Sequence, residues 1–177
     1  MINNKNAKDV PISIFIAVSI IVIFLLFNAK VINAVPCGKS IHEVFMSNFV
    51  HIDAMHLMFN LYALYAISRV EREMGFKSFI WLLIFLLIFN TLAEFLVRQV
   101  WKDSKCSIGF SGILFGLMTW ELVSKKELDV RIMIAIVIMI VGPSLQNKHV
   151  SLSGHMIGAV SGIIAAVIWK FLNNNSK

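Results

Sequence analysis

The stretch Phe76–Val97, FKSFIWLLIFLLIFNTLAEFLV, decides how the rest of the chain is read. It is strongly apolar apart from Asn90 and Glu94, and its 22 residues suffice to cross a bilayer as one helix, which takes about 20. Two apolar blocks precede it. Pro11–Phe27 follows a polar head carrying Lys5 and Lys8, and Met55–Val70 carries His56 and Asn60. Three more follow: Ser111–Ser124, Val130–Val141, and Ser153–Leu172. The fifth block stops near Gly142-Pro143, a pair that breaks helices.

Composition points the same way. Of 177 residues, 58% are apolar and 15% charged, with a mean hydropathy of +0.80. A soluble domain of this size has too little interior to hide that much apolar side chain, whereas six spans of about 18–20 residues absorb it and leave only tails and loops. The expected fold is therefore all-α: a polytopic six-transmembrane-helix bundle, one membrane domain over residues 1–177. A polar N-terminal tail covers 1–10 and an Asn-rich C-terminal tail covers 173–177. Two cysteines exclude a disulfide scaffold. The +6 charge lies between apolar blocks rather than in one patch, so it is no nucleic-acid signal. A secretory signal is the other reading of the first block. Its 17 residues are long for a signal core, and cleavage after Ala34 would put Ile32 where a small residue is wanted.

Six spans place both tails on one side with Arg69, Arg72, Lys77, Lys125, Lys126, Arg131 and Lys170, ten Lys and Arg against six on the other side. Positive charge favours the cytoplasm, so both termini are expected there.

A polar side chain inside hydrocarbon is costly and marks a functional candidate. Asn60 lies one turn after His56, on the same helix face. Ser111 opens the fourth span, and His155 lies in about the first turn of the sixth. Spans two, four and six run in one direction, so their N-terminal ends share the non-cytoplasmic face. Four hydrogen-bonding side chains thus gather at similar depth. Gly154, Gly158, Gly162 and Ala166 put a small residue at every fourth position of the sixth span, and Gly112 and Gly116 do so in the fourth. Such stripes let helices touch in lipid.

A Ser beside a His suggests nucleophilic catalysis, the imidazole taking the hydroxyl proton as attack begins. The oxyanion then needs donors. His56 and Asn60 can supply them, with the unpaired N–H groups where the fourth span begins. Gly109 and Gly112 allow a tight turn and close substrate approach. Asp53 lies near the surface, and Glu94 and Glu121 lie on other helices. A Ser111–His155 dyad is expected rather than a triad.

The residues Ser47-Asn48-Phe49-Val50-His51, His56-Leu57-Met58-Phe59-Asn60, Glu71 with Gly75, Gly109-Phe110-Ser111-Gly112, and Gly154-His155 with Gly158 and Gly162 follow one order. In that order they resemble the rhomboid intramembrane serine proteases in their minimal six-helix form. The resemblance implies Ser111 as nucleophile and His155 as general base. It implies His56, Asn60 and the Ser111 N–H as the oxyanion hole, in a cavity open to the non-cytoplasmic side. Phe115 matches a position where the family often has a Tyr packing on the histidine, and His51 matches a histidine near the rim, for which a surface structural role is an equal reading. Substrates would be transmembrane segments cut near the membrane surface, within the bilayer, with neither metal nor nucleotide cofactor. The chain departs from the family in two places. The first loop is short and lacks a Trp-Arg pair, and Ala66–Val70 lacks a glycine before Glu71.

Two other classes remain. A catalytically silent rhomboid-like protein would bind transmembrane clients, and the intact Ser111 and His155 argue against it. A channel would need its polar path to continue to the cytoplasmic side, where spans two and six are apolar. Gly38-Lys39-Ser40 has the ending of a phosphate-binding loop, but Asn33 stands where its first Gly is required. Histidines 42, 51, 56, 149 and 155 form no metal set by spacing. Glu71, Arg72 and Glu73 are read as a solvated cytoplasmic turn. Cys37 and Cys106 fall on the same non-cytoplasmic face, where they either pair or remain free thiols.

Overall fold

A computed structural model describes residues 10–32, 37–101, 106–125, 129–146 and 151–174. Lys5, Lys8, Lys102, Lys105, Lys126, Lys148, Lys177 and His149, which entered the charge count and the histidine inventory, lie outside the described residues, as do Asn33 and Ala34. Among the described residues the chain is all-helical: α1 (Pro11–Asn28), α2 (Ile41–Ser47), α3 (Ala54–Ile67), α4 (Arg69–Met74), α5 (Phe76–Val100), α6 (Ser111–Ser124), α7 (Val130–Gln146) and α8 (Leu152–Asn174).

Local chemistry starts and stops these elements. Pro11 opens α1, where its missing N–H costs nothing. The first loop holds a helix that hydrophobic patterning did not show. At its start the Ser40 hydroxyl accepts from the Glu43 N–H, and the Glu43 carboxylate accepts from the Ser40 N–H at 2.9 Å. Asp53 caps α3, its carboxylate accepting from the His56 N–H at 2.7 Å. The second apolar block is two helices, α3 and α4, broken at Ser68. Gly75, at φ +79°, turns the chain from α4 into α5.

Two expected boundaries move. α7 does not stop at Gly142-Pro143 but carries Pro143 inside it. Within a membrane protein, neighbouring groups can satisfy the carbonyl that a proline releases. Asn173 and Asn174 belong to α8 rather than to a tail.

Helices α1, α5 and α8 are long and apolar enough to cross a bilayer, while α6 and α7 are apolar but shorter. Large apolar side chains stand exposed on α1, α3, α5, α7 and α8, among them Phe15, Tyr62, Trp81, Ile138 and Phe171. Long apolar helices with such a surface belong to a multi-pass membrane protein.

Helix α6 is the axis of the molecule. It is buried on nearly every side from Gly112 to Leu122, and an all-round apolar helix belongs in such a place. At 14 residues it spans roughly 21 Å. Gly109 and Phe110, directly ahead of it, are buried in protein, the setting in which irregular backbone is tolerated in membrane proteins. Its closest partner is α8. A Cβ on Gly158 would collide with the Gly112 carbonyl, and one on Gly162 with the Gly116 carbonyl, so the two glycine stripes interlock as their spacing implies. Thr119 Oγ1 donates to the Ala159 carbonyl at 2.8 Å across the same seam.

The solvated turn at Glu71 is a misreading. Glu71 is 2% exposed, and its carboxylate accepts from the Ile12 N–H (2.8 Å), the Ser13 N–H (2.9 Å) and the Ser13 hydroxyl (2.7 Å). A carboxylate at the N-terminus of α1 satisfies donors that no intrahelical carbonyl can reach. Only Arg72 and Glu73 of that trio are exposed. Glu121 is likewise buried, bound by Arg69 at 2.9 Å and Lys125 at 2.8 Å, which joins the start of α4 to the end of α6.

Candidate active site

Close approach of α6 and α8 delivers one residue from each helix start to the same point. Ser111 Oγ and His155 Nε2 are 3.1 Å apart, within hydrogen-bonding distance. Ser111 is half-buried, and His155 is 9% exposed. Phe115, one turn beyond Ser111, lays its ring against His155 with centroids 4.6 Å apart. The other imidazole nitrogen, Nδ1, is buried without a well-formed hydrogen bond, and the Ile140 carbonyl of α7 is a backbone group facing the ring. Among the described residues no carboxylate bonds to His155. No side chain caps α6, so the N–H groups of its first turn are left without an intrahelical or capping partner.

His56 lies against Gly109, two residues before Ser111. Its ring lies under Gly109, where an added Cβ would come within 2.6 Å of Cε1. Gly109 has φ +94°, so two independent reasons require glycine here: left-handed backbone and contact with the imidazole. Asn60 is buried one turn after His56; its amide donates to the His56 carbonyl at 2.8 Å, and its side chain faces His51 without a well-formed hydrogen bond at Oδ1. The structure thus places Ser111, His155 and His56 around one point. Asn60 stands one turn after His56 with one of its two amide hydrogens engaged.

His51 is not on the surface. It is fully buried, its ring centroid 5.1 Å from that of His56. Its Nε2 accepts from the Phe110 N–H at 3.5 Å, which leaves Nδ1–H to donate to the Phe49 carbonyl at 3.3 Å. Burial, with His56 alongside, pushes its pKa down to about 4. A neutral His51 therefore supports the residue preceding Ser111.

The sequence shows Asn90 and Glu94 as polar breaks in an apolar span but assigns them no role, and it places Arg98 outside the span; in the structure all three form a polar layer in α5. Asn90 donates to Ser161 Oγ at 3.0 Å. Glu94 and Arg98 form a buried pair at 3.5 Å that also binds backbone at Gly38, ahead of α2, and at Ser107, ahead of α6. Their positions, four residues apart in an apolar helix, were the available signal. A small cavity behind Ser111 is lined by Ser47, Asn90, Glu94, Ser107, Gly112 and Gly154. Cys37 and Cys106 are joined in a disulfide, Cα atoms 5.3 Å apart, which decides between the two cysteine readings. Among the described residues no group of three His, Cys, Asp or Glu is placed to hold a metal ion.

The fold and this Ser–His geometry define a multi-pass membrane protein with an interhelical serine–histidine pair. The Rhomboid domain pattern matches residues 38–170, three quarters of the chain. The chain belongs to the rhomboid family. It is 23% identical over 156 residues to a protein of Acanthamoeba polyphaga mimivirus named for its likeness to rhomboids, covering 88% of this chain and 91% of that one. Rhomboid-like protein 15 of Arabidopsis thaliana is 26% identical over 150 residues, 73% of this chain and 37% of the plant protein. An uncharacterized protein of Mycobacterium tuberculosis is 29% identical over 140 residues, 71% of this chain and 58% of that protein.

Proposed function

We propose that the chain is an intramembrane serine endopeptidase that hydrolyses peptide bonds in or next to transmembrane segments of other membrane proteins. The observation that carries the reading is the 3.1 Å approach of Ser111 Oγ to His155 Nε2 at the start of two interlocked helices, in a chain of the rhomboid family.

In this reading the substrate helix unwinds locally and presents a carbonyl carbon to Ser111. As Oγ attacks, its proton passes to His155 Nε2, and the carbonyl oxygen becomes an oxyanion. The free N–H groups at the start of α6 and the His56 ring supply donors to that oxyanion, with Asn60 joining through its second amide hydrogen. His155 returns the proton to the departing amine, leaving an acyl-Ser111 ester. Water, deprotonated by His155, hydrolyses the ester and restores the serine. His155 must be neutral to accept the first proton, so hydrolysis falls at acid pH. No metal or nucleotide enters these steps.

Six spans with both termini in the cytoplasm place the Ser111 cavity on the non-cytoplasmic side. The Lys and Arg bias supports this orientation, and so does the Cys37–Cys106 disulfide, since such bonds persist in oxidising compartments. The test is labelling of the purified protein by a fluorophosphonate serine probe, beside Ser111→Ala and His155→Ala. Labelling that both substitutions abolish is expected. Folded wild type that stays unlabelled beside a reactive rhomboid overturns the protease and leaves the client-binding protein.

A further inference from the structure

We propose that Arg98, held by Glu94, is a positioning residue that fixes the segment from Ser107 to Phe110 and so sets where Ser111 stands relative to His155. The proposal rests on Ser111 acting as nucleophile, but the geometry behind it lies outside the pair itself.

The peptide groups of Ser107 are gripped on both sides by one helix. Glu94 Oε1 accepts the Ser107 N–H at 3.1 Å, and Arg98 Nη2 donates to the Ser107 carbonyl at 3.1 Å. The other guanidinium arm, Nη1, donates to the Gly38 carbonyl at 2.8 Å, and Arg98 Nε faces Glu94 Oε1 at 3.5 Å. A planar five-donor fork can hold two carbonyls from two loops while keeping its carboxylate partner, a spread of donors that the compact lysine ammonium only partly reproduces. Neighbouring residues repeat the tie: Cys37 is bonded to Cys106, and Gln99 donates to the Lys39 carbonyl at 3.2 Å.

What the clamp holds is the approach to both members of the pair. Ser107 precedes Ser111 by four residues, and between them Gly109 donates to the Ser47 carbonyl at 2.8 Å. The Ser107 hydroxyl occupies the space a Cβ on Gly154 would need, and Gly154 precedes His155. One residue thus packs against the start of α8 while its backbone is locked to α5. Arg98 and Glu94 are both nearly buried, at 7% and 5% exposure. A buried ion pair is a poor source of net stability, because desolvation offsets its attraction. Here its hydrogen-bonding capacity goes to loop backbone that would otherwise be buried without partners. Displacing reacting groups by about 1 Å can cost about 100-fold in rate, so a clamp of this kind acts on turnover rather than on substrate binding.

The experiment compares wild type, Arg98→Gln, Arg98→Lys and Glu94→Gln in liposomes, with a fluorescent transmembrane substrate. Turnover is normalised to serine sites titrated by the fluorophosphonate probe, and amide exchange is followed over residues 106–111. Arg98→Gln is expected to lower kcat about 100-fold with KM unchanged. Arg98→Lys should recover part of that loss, and amides of the 107–110 segment should exchange faster while α8 is unaffected. Wild-type kcat per titrated site in folded Arg98→Gln overturns the proposal. If Arg98→Gln does not fold, Glu94→Gln decides, since it keeps the side chain's shape: normal kcat and normal exchange in that variant overturn the proposal equally. A wild type that neither labels nor hydrolyses ends the protease reading instead. The exchange rates then judge the clamp alone, unchanged exchange at 107–110 refuting it and faster exchange supporting it.

Discussion

The backbone of Gly158 on α8 lies directly against the carbonyl of Gly112 on α6, with no room for a methyl group between them. Gly112 follows Ser111, and Gly158 stands about one turn after His155, so this contact sets the spacing of the Ser–His pair. The obstacle is backbone rather than a movable side chain. Gly158→Val must therefore separate the helices, at a cost of about 1–3 kcal/mol for overpacking. Thermal unfolding should show the lower stability, and fluorophosphonate labelling of Ser111 should be lost in whatever remains folded. Labelling at the wild-type rate in Gly158→Val would show that the seam does not govern the pair.

Phe115 offers a subtler perturbation. Its ring packs on His155 at 4.6 Å, and an aromatic contact of this kind is worth about 0.5–1.5 kcal/mol beyond burial. Phe115→Leu keeps the position apolar but frees the imidazole to tilt, so kcat should drop about tenfold, which corresponds to about 1.4 kcal/mol. Phe115→Tyr keeps the ring and should retain most activity. Equal activity in the leucine and tyrosine variants would show that the ring contributes bulk alone.

Much of this arrangement is readable in the residues. The fourth span, expected from near Ser111 to near Ser124, is the helix Ser111–Ser124, because a run apolar on all sides carries its own boundary in composition. The interlocking of Gly112 and Gly116 with Gly158 and Gly162 follows from their spacing, since only small residues permit that contact. The failures share one cause: the deciding partner is far away in the chain. Glu71 looks like a solvated charge until Ile12 and Ser13 bring it three donors from 58 and 59 residues away. Pro143 looks like a stop, although a membrane setting lets α7 continue. The capping box Ser40-Ile41-His42-Glu43 was a local signal and went unread because α2 is only seven residues long.

Stability should depend on pH through His51. Its folded pKa, about 4, lies below the ordinary 6.5, so the unfolded chain binds the proton more readily. The stabilisation is complete above pH 6.5 and is lost as pH falls toward 4. With about 1.4 kcal/mol per pKa unit, the full loss amounts to about 3.5 kcal/mol. Unfolding in detergent at pH 7.5 and 4.5 should reveal it, and His51→Asn should flatten the dependence. An unchanged slope in His51→Asn would assign the effect to other groups.

Glu71 separates fold from chemistry. Its carboxylate receives two backbone N–H groups and one hydroxyl from the first turn of α1, far from Ser111 in the chain, and no other side chain caps that helix. Hydrogen bonds to a charged acceptor are worth about 1.5–3 kcal/mol each in net terms, and truncation leaves the Ser13 donors buried without a partner. Glu71→Ala should therefore lower stability by about 3 kcal/mol or more, while Glu71→Gln, which keeps one acceptor oxygen, should lose less. Because α1 carries none of the groups around Ser111, labelling per folded molecule should stay at the wild-type level in both variants below their unfolding temperatures. Loss of labelling in a folded Glu71→Gln protein would mean that the seat of α1 is coupled to the Ser111–His155 pair through α3, the helix that carries His56.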